Sequence, residues 1–296
     1  MNFTPPPEFT PRVRIAEPLS RHTSWHVGGP ADLFFMPRDR ADLLAFLKIL
    51  PPEVPLLWLG LGSNLLVRDG GVRGVVISTR DALVALERRG ERGVYAEAGV
   101  PCAKLARQCA RWDLGPAEFF TGIPGTVGGA LAMNAGAFSG ETWRQVVSVE
   151  TVDRHGVVRE RSREQFRVGY RHVEQPANDE WFLAATLHFE GASSEADTRA
   201  LLERRKQTQP IGEWSCGSVF TNPPGDHAAR LIETAGLKGR RIGGAVVSTK
   251  HANFILNEGA ATARDIETLI CEVQQQVARR HGCQLTPECR IVGEAA

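Results

Sequence analysis

The run Gly122-Ile123-Pro124-Gly125-Thr126-Val127-Gly128-Gly129-Ala130-Leu131-Ala132-Met133-Asn134-Ala135-Gly136-Ala137 constrains this chain more than any other stretch. Glycine at 122, 125, 128, 129 and 136 strips side chains from a long piece of backbone. Such backbone adopts unusual dihedrals, and its N–H groups can approach a ligand closely. A pyrophosphate is the group such a surface typically accommodates. On spacing alone, a glycine-rich turn between packed elements explains the run equally well.

A second loop, Gly60-Leu61-Gly62-Ser63-Asn64-Leu65-Leu66, follows the short apolar strand expected at 55–59. It offers two glycines, a hydroxyl and an amide at a strand's carboxyl end. It is not a Rossmann fingerprint, because Leu65 stands where the third glycine belongs. Nor does any glycine loop here end in Gly-Lys-Ser or Gly-Lys-Thr, as a P-loop would. Two phosphate-compatible loops that match neither common pattern point to a different dinucleotide site.

Around these loops the patterning mixes strands and helices. Strands are expected at 32–36, 55–59, 74–77, 94–98, 145–153, 157–161 and 181–189, with a hairpin through His155-Gly156. Leu43, Leu44, Phe46, Leu47 and Leu50 give a helix over 39–50 its apolar face, and Pro51 stops it. Pro101 opens another helix, as proline does at a first turn. A further helix is expected from Glu195 to Lys206. The clearest one begins after Thr262, where Ile266, Leu269, Ile270, Val273 and Val277 recur at helical spacing; Thr262 fits the N-cap and Gly282 the end. The mixture is α+β, without a fixed-period repeat. The small, polar segment 191–197 marks the expected domain boundary. Residues 1–18, with Pro5, Pro6 and Pro7, read as an extended and poorly ordered arm.

A chain of 296 residues is long for one hydrophobic core, so two or three subdomains are expected. A net charge of +1 gives no footprint for nucleic acid or a membrane surface. The six cysteines form no CxxC pair and no zinc spacing, so no metal is expected and the thiols read as reduced. Residues 1–12 lack the apolar core of a signal peptide, and no apolar run would span a bilayer. A cytoplasmic, monomeric protein is the expectation.

Taken together, these strings resemble the MurB reductase family. The resemblance starts at His22-Thr23-Ser24-Trp25-His26-Val27-Gly28-Gly29-Pro30-Ala31-Asp32 and passes through both glycine loops. It continues at Val168-Gly169-Tyr170-Arg171, at Cys216-Gly217-Ser218-Val219-Phe220-Thr221-Asn222-Pro223 and at His251-Ala252-Asn253-Phe254. It closes at Pro287-Glu288-Cys289-Arg290-Ile291-Val292-Gly293, so nearly the whole chain is covered in the family's order. The fold implied is a two-subdomain FAD-binding fold of the vanillyl-alcohol-oxidase type, over 19–190 (about 19–80 and 81–190). A C-terminal α+β substrate-binding domain over 195–296 would follow.

The resemblance implies bound FAD, NADPH as hydride donor and UDP-N-acetylglucosamine enolpyruvate as acceptor, giving UDP-N-acetylmuramate. It puts FAD against Gly28, Gly29, Gly60, Gly62, Ser63, Asn64, Leu65, Gly122, Ile123, Pro124, Gly125, Thr126, Gly128, Gly129 and Asn134. It places Arg171 and Glu288 at the substrate carboxylate, where hydride arrival at C3 builds up negative charge. An arginine's planar, permanently charged fork suits a carboxylate. Glu288 suits it only when protonated or acting through water, so its pKa is expected to rise in the complex. Ser218 would protonate C2. Tyr170, Asn222 and Lys206 are the expected substrate contacts.

Without the resemblance, each of these residues has an ordinary reading. Gly-Ser makes turns, Tyr-Arg is a surface pair and Glu288 is a strand-edge carboxylate; His251 reads as a satisfied core residue. Two departures stand out. Thr208 occupies the position where many relatives have lysine before the Pro210 step, leaving Lys206 or Arg205 to supply the charge. His172-Val173-Glu174-Gln175-Pro176 replaces a segment that commonly carries serine, as expected of the family's shorter-loop subgroup. The rival readings are a flavin oxidase of the same superfamily and a nucleotide-binding sensor without turnover. Loss of Arg171, Ser218 or Glu288 would favour the sensor, and all three are present.

Overall fold

The computed structural model describes residues 3–296; Met1 and Asn2 of the expected arm lie outside the described residues. The chain forms two compact units. The first comprises residues 1–15, 33–61 and 74–204, the second residues 16–32, 62–73 and 205–296.

A four-stranded sheet runs in the order Val13–Pro18, Pro30–Phe35, Val72–Ser78, Leu56–Leu59. Its last pair is parallel, with Leu56 opposite Val75. Helix α1 (Arg40–Ile49) starts where the Asp39 carboxylate accepts the Asp42 N–H, satisfying a donor that the first turn leaves unpaired. Its apolar face carries Leu43, Phe46 and Leu47 into a core with Phe35 and Phe9. Phe35 stacks on Phe46 at 3.9 Å, and Phe9 meets Phe46 edge-on at 5.3 Å. The described part of the expected N-terminal arm is therefore ordered: Phe9 is buried and Val13–Pro18 is a strand. Proline counts do not reveal an apolar anchor of this kind.

The larger sheet is antiparallel, in the order Val158–Ser162, Val146–Asp153, Glu180–His188, Gly93–Glu97, Leu86–Arg89. Helices α2 (Cys102–Arg111) and α3 (Val127–Met133) contribute Leu105, Ala106, Cys109, Ala130 and Leu131 to one core with Val149, Phe182 and Trp143. Helix α4 spans Glu195–Thr208.

Buried Glu180 on the central strand binds Arg161 through Nε at 3.1 Å and Thr151 Oγ1 at 2.7 Å. The Arg161 hydrogen bond is the main cause that holds its carboxyl below the usual range. A depressed folded pKa contributes stability that is complete above the unfolded value, about 4.3, and is lost as pH falls through the folded value. Glu180→Ala is therefore expected to cost about 1–2 kcal/mol near neutrality, since it removes the buried carboxylate that pairs with the partly exposed Arg161. Its difference from the parent in thermal melting should shrink as the pH is lowered below about 4.

The second unit packs α5 (Ala228–Thr234) and α6 (Ala263–His281) against the three-stranded sheet Arg241–Ile242, Ala245–Val247, Ile255–Asn257. Helix α6 is capped as its sequence predicts: Thr262 accepts the Asp265 N–H, and Gly282 ends it in the left-handed conformation. The Asp69 carboxylate adds acceptors for the N–H groups of Ala263 and Arg264, at 3.0 Å each. A second, parallel pair joins Leu65–Val67 to Arg290–Val292.

The compact units are grouped differently from the linear boundaries of the sequence reading. The break near 191–197 falls instead between Arg204 and Arg205, and residues 16–32 and 62–73 belong with the C-terminal segment. The physical reason lies in the packing of Trp25. It is fully buried in the second unit's core, and its Nε1–H donates to the Ile255 carbonyl at 2.8 Å.

Candidate active site

Gly217 lies at φ +83°, a conformation that glycine adopts without strain, and turns the chain into Ser218. From there the backbone is held on both sides. Buried Asn253 accepts the Val219 N–H through its carbonyl and the Phe220 N–H through Oδ1, at 2.9 and 3.0 Å, while its Nδ2 donates to the Phe220 carbonyl at 2.8 Å. Opposite, the Glu288 N–H donates to the Val219 carbonyl at 2.7 Å, and the Thr221 N–H donates to the Thr286 carbonyl at 3.0 Å. Ser218 and Glu288 thus stand on neighbouring antiparallel segments, both half-buried.

Asn64 holds the other edge of the Glu288 segment. Its Nδ2 donates to the Glu288 carbonyl at 3.0 Å, and its own carbonyl accepts the Arg290 N–H at 3.0 Å. Burial chiefly, then neighbouring Cys289 and the Glu288 carboxylate, push the Cys216 thiol well above its ordinary pKa. Burial raises Cys102 and Cys109 to about 12. Since the thiolate is the nucleophile, these thiols should be inert, whereas Cys271 is exposed. Brief alkylation of the native protein at pH 8, read by peptide mass spectrometry, is expected to label Cys271 first and spare Cys102, Cys109 and Cys216.

Arg171 belongs to the first unit. It occupies the turn between the paired strands Arg167–Gly169 and His172–Glu174, at φ +54°. A non-glycine residue there costs on the order of 1 kcal/mol, strain that collects at functional positions. Its guanidinium donates to the carbonyls of Asn134 (3.3 Å) and Gly136 (2.7 Å), with the Tyr170 ring 5.1 Å away. Tyr170 is half exposed.

The glycine loops divide by role. Added Cβ atoms would strike Val67 at Gly28, the Asp69 carbonyl at Gly29, Ala137 at Gly122 and Ala98 at Gly128, so packing explains these four. The N–H groups of Val127 and Gly128 are already used by the carbonyls of Val100 and Ala98, at 2.9 and 2.8 Å. Gly60 lets Thr126 approach, since its Cβ would lie 2.6 Å from Oγ1. At Gly129 nothing lies nearer than 3.9 Å, which leaves open space over the start of α3.

The other loop fits a ligand better. Gly62 is left-handed and packing too requires it, since a Cβ would lie 2.0 Å from the His22 carbonyl; its own carbonyl accepts the Ser24 N–H at 3.2 Å. Among the described residues the N–H groups of Gly62 and Ser63 donate to no backbone carbonyl. Ser24 Oγ beside them is buried without a partner, as is Trp58 Nε1 in the first unit. A buried polar group left unpaired costs about 1–3 kcal/mol, which a ligand oxygen or nitrogen would recover. Within the second unit, the Ser24 hydroxyl and the N–H groups of Gly62 and Ser63 are donors of the kind a phosphate oxygen accepts from. Ser24 escaped sequence reading because an isolated serine carries no signal of burial.

The remaining expected contacts are placed differently. Asn222 is exposed, and its Oδ1 accepts the Ala228 N–H at 3.1 Å, at the start of α5. Lys206 is exposed, and its carbonyl accepts from Lys250 Nζ at 2.6 Å. Arg205 is half-buried, and burial draws its guanidinium below the usual value. His251 packs edge-on against Phe254, and burial lowers its pKa. Among the described residues no group of three or more His, Cys, Asp and Glu is placed to hold a metal ion.

Fold and site together define a flavoprotein class: residues 31–162 match a family described as FAD binding domain. Residues 209–292 match the UDP-N-acetylenolpyruvoylglucosamine reductase C-terminal domain. A UDP-N-acetylenolpyruvoylglucosamine reductase of Alkalilimnicola ehrlichii is 63% identical over 96% of this chain and 95% of its own length. One from Methylococcus capsulatus is 59% identical over 94% of this chain and 92% of its own. The crystal structure of the Thermus caldophilus reductase (MurB) superposes with a TM-score of 0.79 at 32% identity, covering 94% of this chain and 97% of that one. The chain belongs to the UDP-N-acetylenolpyruvoylglucosamine reductase family.

Proposed function

We propose that this protein reduces the enolpyruvyl group of UDP-N-acetylglucosamine enolpyruvate to give UDP-N-acetylmuramate, a step of peptidoglycan precursor synthesis, with NADPH as the hydride donor. When bound, FAD supplies the relay that accepts a hydride from NADPH and passes it from N5 to C3 of the substrate. The chain's own part is to hold the acceptor and manage its charge and proton.

Arg171 would face the substrate carboxylate, and Glu288 would join it as a protonated or water-linked donor. Both favour the negative charge that builds on the carboxylate as C3 is reduced. Ser218 would deliver a proton to C2. A serine hydroxyl is a weak acid and needs fixed placement against a strongly basic carbon. The observation that supports this reading is the paired backbone at Val219 and Glu288, with Asn253 behind it, which fixes the main chain beside Ser218. Ser24, Gly60, Gly62 and Ser63 would receive the dinucleotide.

A cytoplasmic location is proposed with it. All six cysteines are unpaired in this fold, as suits a reducing compartment. Among the described residues no helix is long and apolar enough to cross a membrane.

The test is spectroscopic and anaerobic. The purified protein is expected to be yellow, to bleach with NADPH and to regain colour on adding the enolpyruvyl sugar nucleotide. Colour regained only with oxygen would move the activity to the oxidase class, and a protein unable to take up FAD would end the proposal.

A further inference from the structure

The geometry points to Asn134 as a positioning residue for Arg171, rather than a cofactor contact, linking the glycine-rich helix α3 to the turn that carries the guanidinium. The inference rests on the proposed role of Arg171 at the substrate carboxylate.

Asn134 is 1% exposed and ends α3 in the left-handed conformation, φ 47° and ψ 53°. Asparagine tolerates that conformation better than most side chains. Its amide is committed within the protein. Oδ1 accepts the Trp143 N–H at 3.1 Å, while Nδ2 donates to the Gly169 carbonyl at 2.9 Å and lies 3.4 Å from Glu141 Oε2. Both amide hydrogens have acceptors, so little remains for a ligand.

Two features of Asn134, the Nδ2 bond to Gly169 and its left-handed backbone, bear on Arg171. Gly169 closes the hairpin opposite His172, so the Nδ2 bond fixes the base of the turn in which Arg171 sits. The left-handed cap turns the Asn134 carbonyl toward Arg171 Nη1 at 3.3 Å, and two residues on the Gly136 carbonyl takes Nη2 at 2.7 Å. Gly136 has to be glycine for this approach, since a Cβ would lie 3.2 Å from Nη1 and collide with the Gly140 carbonyl. The guanidinium is thus aimed by two backbone carbonyls whose places depend on one buried amide. A guanidinium displaced by about 1 Å loses on the order of a hundredfold in rate.

The test compares holoenzymes of Asn134→Asp, Asn134→Gly and Arg171→Ala by anaerobic stopped flow. Asp keeps the size and the acceptor for Trp143 but sets an oxygen against the Gly169 carbonyl; Gly keeps the left-handed backbone and removes the amide. The expected result is parental flavin content and reduction by NADPH, with reoxidation by the enolpyruvyl substrate slowed about ten- to a hundredfold. Adding Asn134→Asp to Arg171→Ala should slow reoxidation no further, because the asparagine acts through the arginine. Flavin loss, an equal fall in both half-reactions, or multiplicative effects in the double variant would overturn the positioning role. So would parental reoxidation in both Asn134 variants while Arg171→Ala is slow. Parental reoxidation in Arg171→Ala itself would instead remove the reading of Arg171 on which the inference rests.

Discussion

Replacing Ser218 with alanine is expected to lower turnover by about a hundred- to ten-thousand-fold while leaving flavin content and reduction by NADPH intact. That loss corresponds to about 3–5 kcal/mol of barrier, the share one well-placed proton donor supplies. The fold should tolerate the change. The segment is held by the backbone of Val219, Phe220 and Thr221 and by the side chain of Asn253, none of which needs the Ser218 hydroxyl. Rapid-mixing measurement of reoxidation by the enolpyruvyl substrate is the direct readout. Parental reoxidation in Ser218→Ala would mean that the C2 proton comes from water or another residue, and would remove Ser218 from the chemistry.

Arg171→Ala carries the second large expectation: a fall of about a hundred- to a thousandfold in kcat/KM for the enolpyruvyl substrate, with NADPH oxidation by the flavin unchanged. The charge on the substrate carboxylate grows as hydride arrives, so kcat should fall as well as affinity. Arg171→Lys should recover little of the loss. A lysine keeps the charge, but its single ammonium cannot bond both the Asn134 and Gly136 carbonyls and still present a planar face to a carboxylate. Activity in Arg171→Lys within a few fold of the parent would show that charge alone suffices and that the fork is incidental.

The candidate residues are legible in the sequence because their surroundings are local. Gly217-Ser218, Tyr170-Arg171 and Pro287-Glu288 are each short strings whose neighbours set their turns, and Thr262 with Asp265 announces α6. Other assignments depended on distant atoms. Gly28 and Gly29 are cofactor contacts by the resemblance, and a Cβ added at either would also strike Val67 or the Asp69 carbonyl, so packing by itself requires glycine there. Asn134 sits inside a glycine-rich run and reads as a ligand contact, but its acceptor at Gly169 lies 35 residues on. Asn222 follows the family's spacing from Ser218, and its side chain caps α5.

By itself the sequence determined the class: an α+β chain with two glycine loops, the reductase family's ordered motifs and three residues suited to reducing an enolpyruvyl acid. Hydrophobic spacing and cap residues act over a few positions, so helices such as α1 and α6 could be written down before any coordinates. Only the tertiary structure decided that residues 16–32 and 62–73 belong with the C-terminal unit. It also decided which glycines answer to packing, and that Asn253 and Asn64 hold the two edges beside Ser218 and Glu288. These outcomes rest on burial and on hydrogen bonds between residues as far apart as Trp25 and Ile255. A buried donor takes whichever acceptor the packed chain brings to it, and no local pattern encodes that choice.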